Sequence, residues 1–273
     1  MKVVLFCGGL GLRMREASER IPKPMVPIGT RPVIWHVMKY FSHYGHKDFI
    51  LCLGHKAEVI KRYFLDYEET ISNDFVLHGA TKDVELLQSD ISDWRITFVN
   101  TGLKASVGER LKAVQPYLEG EERFLANYGD TLTDAHLPTL IDRLNATDKL
   151  AGFLCVRPSY TFHVATIGDD SSIENLEDVT SSDVWINGGY FVFRQEFMDY
   201  LQEGEDLVDG ALQRLIRERG LLGFKHTGFW APMDTLRDQQ ELEQRWERGE
   251  APWSVWAGQS LAYVNGHAAL QGR

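Results

Sequence analysis

A short apolar run near the amino terminus leads directly into a stretch of glycines. The run Val3–Cys7 is rich in aliphatic and β-branched side chains, and it predicts a buried strand of a parallel sheet. Gly8, Gly9 and Gly11 follow, with Arg13 close behind. Glycines let backbone N–H groups approach the oxygens of an anion, and arginine adds a permanent charge. The stretch therefore predicts a strand that ends in an anion-binding turn.

Two common phosphate-binding motifs do not fit this turn. The dinucleotide-binding fingerprint requires a glycine three residues after Gly11, where the chain has Met14. It also requires an acid after the second strand, where residues 54–56 are Gly-His-Lys. The P-loop of nucleoside triphosphatases ends in Gly-Lys-Ser/Thr, a tripeptide that this sequence does not contain.

A single lysine between two prolines lies ten residues beyond the arginine. Pro22 and Pro24 restrict the backbone on both sides of Lys23, so its ammonium group projects from a stiff segment. A structural glycine turn or an exposed basic loop would explain either half of this pattern alone. Both halves together, so early in the chain, favour a phosphate site.

The composition is that of an ordinary soluble globular chain. Its 273 residues are 44% hydrophobic and 25% charged, which is enough for one large α/β domain. The formal net charge of −10 argues against a surface for nucleic acid or for anionic membranes. We find no membrane-spanning run and no signal peptide, so we expect a cytoplasmic protein. The three cysteines lack metal-ligand spacing and are expected in the core.

The remaining sequence alternates strand-like runs with amphipathic helical patterns, which predicts a parallel α/β layer. Residues 68–94 are less regular and are expected to be partly extended. The predicted strands after the first are Phe49–Leu53, Arg95–Asn100, Phe124–Tyr128, Leu150–Val156, Phe162–Gly168, Tyr190–Phe193 and Leu222–His226. The predicted helices are Val33–Tyr44, Ala57–Tyr67, Gly108–Val114, Leu137–Leu144, 195–202, 208–219 and 235–248.

Several polar residues after these runs have both a functional and a structural interpretation. Asp130 follows a predicted strand, where open α/β sheets bind ligands, but a turn or cap residue fits equally. Asp234 precedes a helix and is a candidate cap, and Arg110 suits a solvated helix face. Asn187 and Gly188, followed by another glycine, are either a hairpin turn or a place where amides and bare backbone meet sugar hydroxyls.

These motifs together resemble those of the sugar-1-phosphate nucleotidyltransferases, and in particular the bacterial glucose-1-phosphate cytidylyltransferases. The similarity extends in order from Met1 to about Trp256. The matching segments are Gly8–Arg13, Pro22–Met25, Val26–Gly29, Pro32–His36, Tyr128–Asp130, Ile186–Gly189, Gly228–Trp230, Pro232–Thr235 and Ala251–Trp253.

The resemblance implies a Rossmann-like α/β fold with a mixed, mainly parallel central sheet flanked by helices. It implies one nucleotidyltransferase domain over residues 1–256, with a tail over 257–273. It also implies Mg²⁺ as cofactor, a nucleoside triphosphate and a sugar 1-phosphate as substrates, and a homo-oligomer. The implied residue roles are triphosphate binding by Gly8, Gly9, Gly11 and Arg13, charge neutralisation at the α-phosphate by Lys23 with help from Arg110, metal binding by Asp130 and Asp234, and sugar binding by Glu177, Asn187 and Gly188.

The sequence departs from the family pattern at three positions. Leu12 replaces a small hydroxyl residue before the arginine of the glycine turn. Asp178 stands where the family has a lysine that pairs with the sugar phosphate, so a cation has become an anion. His163 places an imidazole where the family has glycine, and it either supplies a donor to the sugar or is a neutral surface histidine.

Three functions remain open from the sequence. The first is transfer of CMP to glucose 1-phosphate or a related hexose 1-phosphate, with release of pyrophosphate. The second keeps this chemistry with another base or sugar, such as a deoxy or heptose phosphate, as Asp178 and His163 favour. The third is a regulatory homologue that binds a nucleotide without turnover.

Overall fold

The structure is a computed structural model that describes residues 1–9, 21–158 and 162–257. Gly11, Leu12 and Arg13 lie outside these ranges, so the roles of Gly11 and Arg13 stay predictions. Within the described ranges, none of the helices combines the length and the apolar character needed to cross a membrane.

The described strands and helices follow the predicted alternation closely. The strands are β1 (Val3–Phe6), β2 (Pro27–Ile28), β3 (Arg31–Pro32), β4 (Asp48–Leu53), β5 (Phe75–Leu77), β6 (Val84–Leu86), β7 (Arg95–Asn100), β8 (Arg123–Asn127), β9 (Thr131–Thr133), β10 (Ala151–Val156), β11 (His163–Ile167), β12 (Ile173–Asp178), β13 (Ile186–Arg194), β14 (Leu221–His226) and β15 (Trp230–Pro232). The α-helices are α1 (Val33–His43), α2 (Ala57–Leu65), α3 (Val107–Ala113), α4 (Leu137–Asn145), α5 (Gln213–Arg217) and α6 (Leu236–Glu247).

A seven-stranded sheet in the order β14-β10-β13-β8-β1-β4-β7 forms the centre of the fold. All neighbouring pairs are parallel except the two that involve β13, which is antiparallel to both β10 and β8. The predicted mixed, mainly parallel sheet is therefore confirmed. Because β1 and β8 are adjacent and parallel, the residues that follow them meet at the same edge of the sheet.

Apolar side chains cover both faces of this sheet. One cluster packs α1 against alternate residues of the central strands and includes Ile34 and Phe41. A second cluster on the other face includes Leu111 of α3 and Phe197. Burial of both faces is the reason that β1 and β4 are continuous apolar runs rather than alternating ones.

Three segments differ from the pattern-based predictions or refine them. Residues 68–94 contain a short 3₁₀ helix at Glu69–Ile71 and the β5–β6 hairpin, as the partly extended prediction requires. Gly188 and its neighbours lie inside β13, so the hairpin-turn interpretation is wrong. The predicted helix over 208–219 is a π-helical turn followed by the short α5, and the Arg214 guanidinium binds both Glu205 and the carbonyl of Tyr200 there.

Candidate active site

One lysine and two carboxylates converge at the carboxyl edge of the sheet. Lys23 Nζ lies 2.6 Å from Asp130 Oδ2 and also contacts Asp234 Oδ1. The three side chains are largely shielded from solvent, with exposed fractions of 15%, 17% and 25% in that order. The convergence predicted for Lys23, Asp130 and Asp234 is present, although 211 residues separate Lys23 from Asp234.

The short β9–β15 ladder brings the two carboxylates together. Asp130 immediately precedes β9, and Asp234 follows β15 after one residue. The two strands are antiparallel, with Thr131 opposite Pro232, so the start of one lies beside the end of the other. The amide of Met233 also donates to the carbonyl of Asp130 over 2.9 Å. This pairing, rather than any local pattern, fixes the spacing of the carboxylates.

The turn before Asp130 is held by a fully buried asparagine. Asn127 Oδ1 accepts from the amide of Gly129 over 2.7 Å, and its Nδ2 donates to Thr131 Oγ1 and to the carbonyl of Gly189. Gly129 has a φ of +78°, a conformation that favours glycine. Asp130 is therefore held on a rigid turn.

Burial and pairing oppose each other at this cluster. Burial is the main cause that raises the pKa of Asp130, and the nearby charge of Asp234 adds to it, while Lys23 lowers it. Burial acts to lower the pKa of Lys23, but the two carboxylates outweigh it and the pKa is raised. Lys23 is therefore a permanent cation here, suited to charge stabilisation rather than to proton transfer.

Helix α6 begins directly after this cluster. Its cap is Thr235, whose side chain accepts from the amide of Asp238, while the Asp238 carboxylate accepts from the amide of Thr235. The capping interpretation of Asp234 is therefore wrong, and its carboxylate points to Lys23 instead. The N-cap residue of α4 is His136, and the nearby Asp134 Oδ1 accepts from the amide of Phe229 and contacts His226 Nε2.

Arg110 lies beneath the glycine turn that follows β1. Its guanidinium donates to the carbonyl of Gly8 over 3.0 Å, to Thr101 Oγ1 over 2.7 Å and to the carbonyl of Leu53 over 3.3 Å. A Cβ at Gly8 would lie 1.9 Å from the guanidinium, so the close approach requires glycine. Arg110 is only 4% exposed, which overturns the solvated-face interpretation.

A cavity of about 570 Å³ joins the glycine turn to the carboxylates. Its lining includes six of the residues predicted to form the site, whereas Lys23 and Gly188 are not among the lining residues. The six are Gly8, Gly9, Arg110, Asp130, Asn187 and Asp234. Tyr128 and Trp230 from the recognised motifs also line it, together with Ser106 and Asp206, which the sequence did not single out. A larger cavity beside Trp35 and Trp246 contains none of the predicted site residues.

The far wall of the cavity is built from an amide, a phenol and an indole. Asn187 Nδ2 donates to Tyr128 Oη over 3.1 Å, and Trp230 Nε1 donates to the carbonyl of Gly188 over 2.8 Å. Burial raises the pKa of Tyr128 to about 12, so its hydroxyl keeps its proton. Tyr128 and Trp230 lie within motifs recognised in the sequence, but their roles depend on contacts across the sheet.

The structure does not bring Glu177 or His163 into the lining of this cavity. Both belong to the β11–β12 hairpin, where His163 is opposite Asp178 and Val164 is opposite Glu177. His163 is exposed. Asp178 Oδ1 accepts from the amide and the hydroxyl of Thr180, and these bonds lower its pKa. Sugar binding by Glu177 and His163 stays a prediction.

Comparison with known proteins identifies the family. The Nucleotidyl transferase family model matches residues 2–235. The chain is 38% identical over 257 residues to glucose-1-phosphate cytidylyltransferase of Salmonella typhimurium, covering 94% of this chain and 100% of the relative. The chain belongs to the nucleotidyl transferase family. It is an enzyme of the sugar-1-phosphate nucleotidyltransferase type.

More distant similarities agree with this nucleotidyl transferase assignment. D-glycero-alpha-D-manno-heptose 1-phosphate guanylyltransferase of Campylobacter jejuni is 28% identical over 206 residues, covering 74% of this chain and 81% of the relative. The UTP-bound UGPase of Acinetobacter baumannii superposes with a TM-score of 0.66 at 18% identity, covering 96% of this chain and 99% of that one. At that identity the structural similarity shows the fold alone.

The carboxylates of this nucleotidyl transferase suit a divalent cation with hard oxygen ligands. Asp130 and Asp234 contact a common cationic centre, the Lys23 ammonium, so their oxygens converge closely enough to share an ion. No cluster of three or more His, Cys, Asp or Glu suited to a metal occurs among the described residues. Two carboxylates are the usual protein contribution when phosphate and water complete the coordination of Mg²⁺.

Proposed function

We propose that this enzyme transfers CMP from CTP to glucose 1-phosphate, giving CDP-glucose and pyrophosphate. The observation that carries the proposal is the convergence of Lys23, Asp130 and Asp234 beside the Gly8–Gly9 turn. The choice of CTP and glucose 1-phosphate is supported by the full-length similarity to the Salmonella typhimurium enzyme.

The reaction requires positioning and charge rather than a protein nucleophile. An oxygen of the sugar phosphate attacks the α-phosphorus of CTP, and the bond from that phosphorus to the β-phosphate oxygen breaks as pyrophosphate leaves. Two anions must approach each other, and negative charge accumulates on the oxygens of the transferred group. Lys23, held as a permanent cation by two carboxylates, is suited to stabilise this charge.

We propose that Asp130 and Asp234 hold Mg²⁺ when CTP is bound. The ion supplies additional positive charge to the phosphates and helps to orient them. Gly8 and Gly9 offer backbone N–H groups on the other side of the cavity, with Arg110 supporting them from below. We propose that Gly11 and Arg13 also bind the triphosphate.

The sugar is expected to occupy the wall formed by Tyr128, Asn187 and Trp230. The Tyr128 hydroxyl accepts from Asn187 and retains its own proton, which it can donate to a sugar hydroxyl. A Cβ at Gly188 would lie 2.9 Å from the carbonyl of Leu154, so the packing of β13 beside β10 requires glycine next to Asn187. Glu177 and His163, both on the β11–β12 hairpin, would also contact the sugar in this proposal.

A second candidate keeps this chemistry with a different sugar 1-phosphate. Asp178 carries a negative charge where the family pattern has a lysine, so the acceptor loses an expected cation. The guanylyltransferase relative, whose name specifies a heptose 1-phosphate, shows that similar chains serve other acceptors.

We also propose that the enzyme forms a homo-oligomer in solution. Sedimentation velocity tests this proposal directly.

A substrate panel tests both candidates. Pyrophosphate release is measured for CTP, UTP, dTTP, GTP and ATP, each with glucose 1-phosphate and with other hexose and heptose 1-phosphates, in Mg²⁺ and after chelation. The highest kcat/KM is expected for CTP with glucose 1-phosphate. Chelation should abolish turnover.

The control variant in this panel is Lys23→Ala. We expect its kcat to fall by at least about 100-fold, because the cation acts on charge that develops in the transition state. If no pair of substrates releases pyrophosphate faster with the native enzyme than with this variant, the proposed function is wrong. A clear preference for another sugar would instead support the second candidate.

A further inference from the structure

The contact between Lys23 and Asp234 depends on two segments that are far apart in sequence. Lys23 begins a short 3₁₀ turn, in which the amide of Val26 donates to the Lys23 carbonyl over 3.1 Å. The β2–β3 hairpin follows at once, with Gly29 in its turn. Asp234 lies two residues before α6. The relative position of the hairpin and α6 therefore sets the position of Lys23 against Asp234.

Helix α6 contacts the hairpin along one face, from Gln239 to Trp246. Glu243 Oε2 accepts from the amide of Gly29 over 2.8 Å, and Gln239 Nε2 donates to the carbonyl of Pro27 over 3.4 Å. The Trp246 indole packs against Gly29, where a Cβ would lie 2.1 Å from Nε1. Gly29 also has a φ of +62°. Position 29 therefore requires glycine, both because the Trp246 indole lies so close and because the φ angle is positive.

The first end of α6 is fixed to the Asp234 segment. Asp238 Oδ2 accepts from the amides of both Asp234 and Thr235, and the Thr235 hydroxyl accepts from the amide of Asp238. One helix thus holds the Asp234 segment at its first turn and the hairpin after Lys23 along the face from Gln239 to Trp246. A carboxylate that accepts from a backbone amide forms one of the stronger kinds of hydrogen bond.

We propose that Glu243 is a positioning residue for nucleotidyl transfer, because it fixes the β2–β3 hairpin on α6 and thereby sets Lys23 against Asp234. The inference rests on the proposed function of the same site. Glu243 does not line the cavity and acts through Lys23. A small displacement of a charged group costs transition-state stabilisation more than it costs substrate binding, so the effect is expected in kcat.

The test compares two substitutions of Glu243 with a matched control on the same helix. Glu243→Ala removes the acceptor, whereas Glu243→Gln keeps an amide oxygen that can still accept from Gly29. Glu241→Ala removes an exposed carboxylate whose partner, Arg237, lies on the same helix. We expect kcat of Glu243→Ala to fall about tenfold with both KM values within threefold of the native enzyme. Glu243→Gln and Glu241→Ala should keep kcat within about threefold.

A second variant addresses the hairpin without changing any charge. Gly29→Ala introduces a Cβ into the Trp246 indole and should lower kcat in the same way as Glu243→Ala. Native kcat in both Glu243→Ala and Gly29→Ala would overturn the inference. So would an equal loss of kcat in Glu241→Ala, or a rise in KM with unchanged kcat.

A measurement that needs no turnover separates this inference from the proposed function. The Lys23 side-chain signals are recorded at neutral pH by NMR with selectively labelled lysine, using Lys23→Ala to assign them. Their chemical shifts depend on the two carboxylates that contact the ammonium, so they should move in Glu243→Ala and stay unchanged in Glu241→Ala. Unchanged Lys23 signals in Glu243→Ala would overturn the inference, whereas an inactive native enzyme refutes only the proposed function.

Discussion

Asp130 and Asp234 both contact the Lys23 ammonium in a shielded site, and Asp130 is the less exposed of the two carboxylates. Because burial raises the pKa of Asp130 above its unfolded value, the folded state holds the proton more tightly than the unfolded state. The resulting cost to stability develops as pH rises from the unfolded pKa to the raised folded pKa. The ionised Asp130 carboxylate therefore costs stability, while its proposed role is to bind the metal ion.

We predict that Asp130→Asn separates the effect of this carboxylate on stability from its effect on catalysis. Without substrates, its free energy of unfolding should equal or exceed the native value by up to about 2 kcal/mol, because a buried charge is removed and Lys23 keeps Asp234 as partner. Its kcat should fall at least about 100-fold. Chemical denaturation and pyrophosphate release measure the two effects, with the exposed Asp169→Asn as control. A clear loss of stability would contradict the prediction.

The residues of the phosphate side were predictable because they belong to rigid local motifs. Prolines restrict the backbone around Lys23, and the Gly8–Gly9 turn follows a strand whose apolar pattern is unambiguous. The burial of Arg110 was not predictable, since its three acceptors come from three separate segments. Thr235 and Asp238, three residues apart, form a capping-box pattern that is visible in the sequence and favours Thr235 over Asp234 as the cap.

At the scale of elements, β13 combines two unusual glycines with the wall of the cavity. Gly189 has a φ of +76°, and a Cβ there would lie 2.4 Å from Tyr128 Cδ2. The same strand places Asn187 against the Tyr128 hydroxyl. A sequence pattern of Asn-Gly-Gly predicts a turn when read locally. Here Gly189 instead leaves room for the Tyr128 ring, and Gly188 leaves room for the neighbouring strand β10. Only the pairing of the strands shows this.

We predict that Gly189→Ala destabilises the protein by about 1–3 kcal/mol, since it introduces both backbone strain and a clash with Tyr128. Displacement of the ring should also break its contact with Asn187 and raise KM for the sugar 1-phosphate more than KM for CTP. Urea unfolding and steady-state kinetics test this, with Gly79→Ala as control because a Cβ there meets nothing within 4 Å. A variant with native stability would show that the ring moves aside without cost.

At the scale of the whole molecule, an aromatic cluster fastens the segment after α6 to the body of the fold. His36 of α1 is fully buried, its Nε2 lies 3.0 Å from the carbonyl of Ile28, and its Nδ1 accepts from Trp253 Nε1 over 3.3 Å. The Trp246 and Trp256 rings also pack on the imidazole. These contacts assign the proton of the neutral imidazole to Nε2.

Burial lowers the pKa of His36 to about 4, so stability should depend on pH through this residue. Below pH 6.5 the unfolded chain binds a proton that the folded protein excludes, and stability falls until the folded pKa is reached. His36 alone should then cost about 3 kcal/mol between pH 7 and pH 4. His46, with a pKa also lowered to about 4 by burial, adds to this loss.

Denaturation curves across this pH range test the prediction in the native protein and in His36→Gln, which retains a donor and an acceptor but does not titrate. The variant should be less stable at pH 7, because glutamine packs poorly among the indoles, yet its stability should fall less steeply as the pH is lowered. The exposed His163→Gln should follow the native curve. Parallel curves for His36→Gln and the native protein would contradict the prediction. An imidazole that stays neutral in the folded protein but titrates in the unfolded chain must make stability fall more steeply as the pH is lowered.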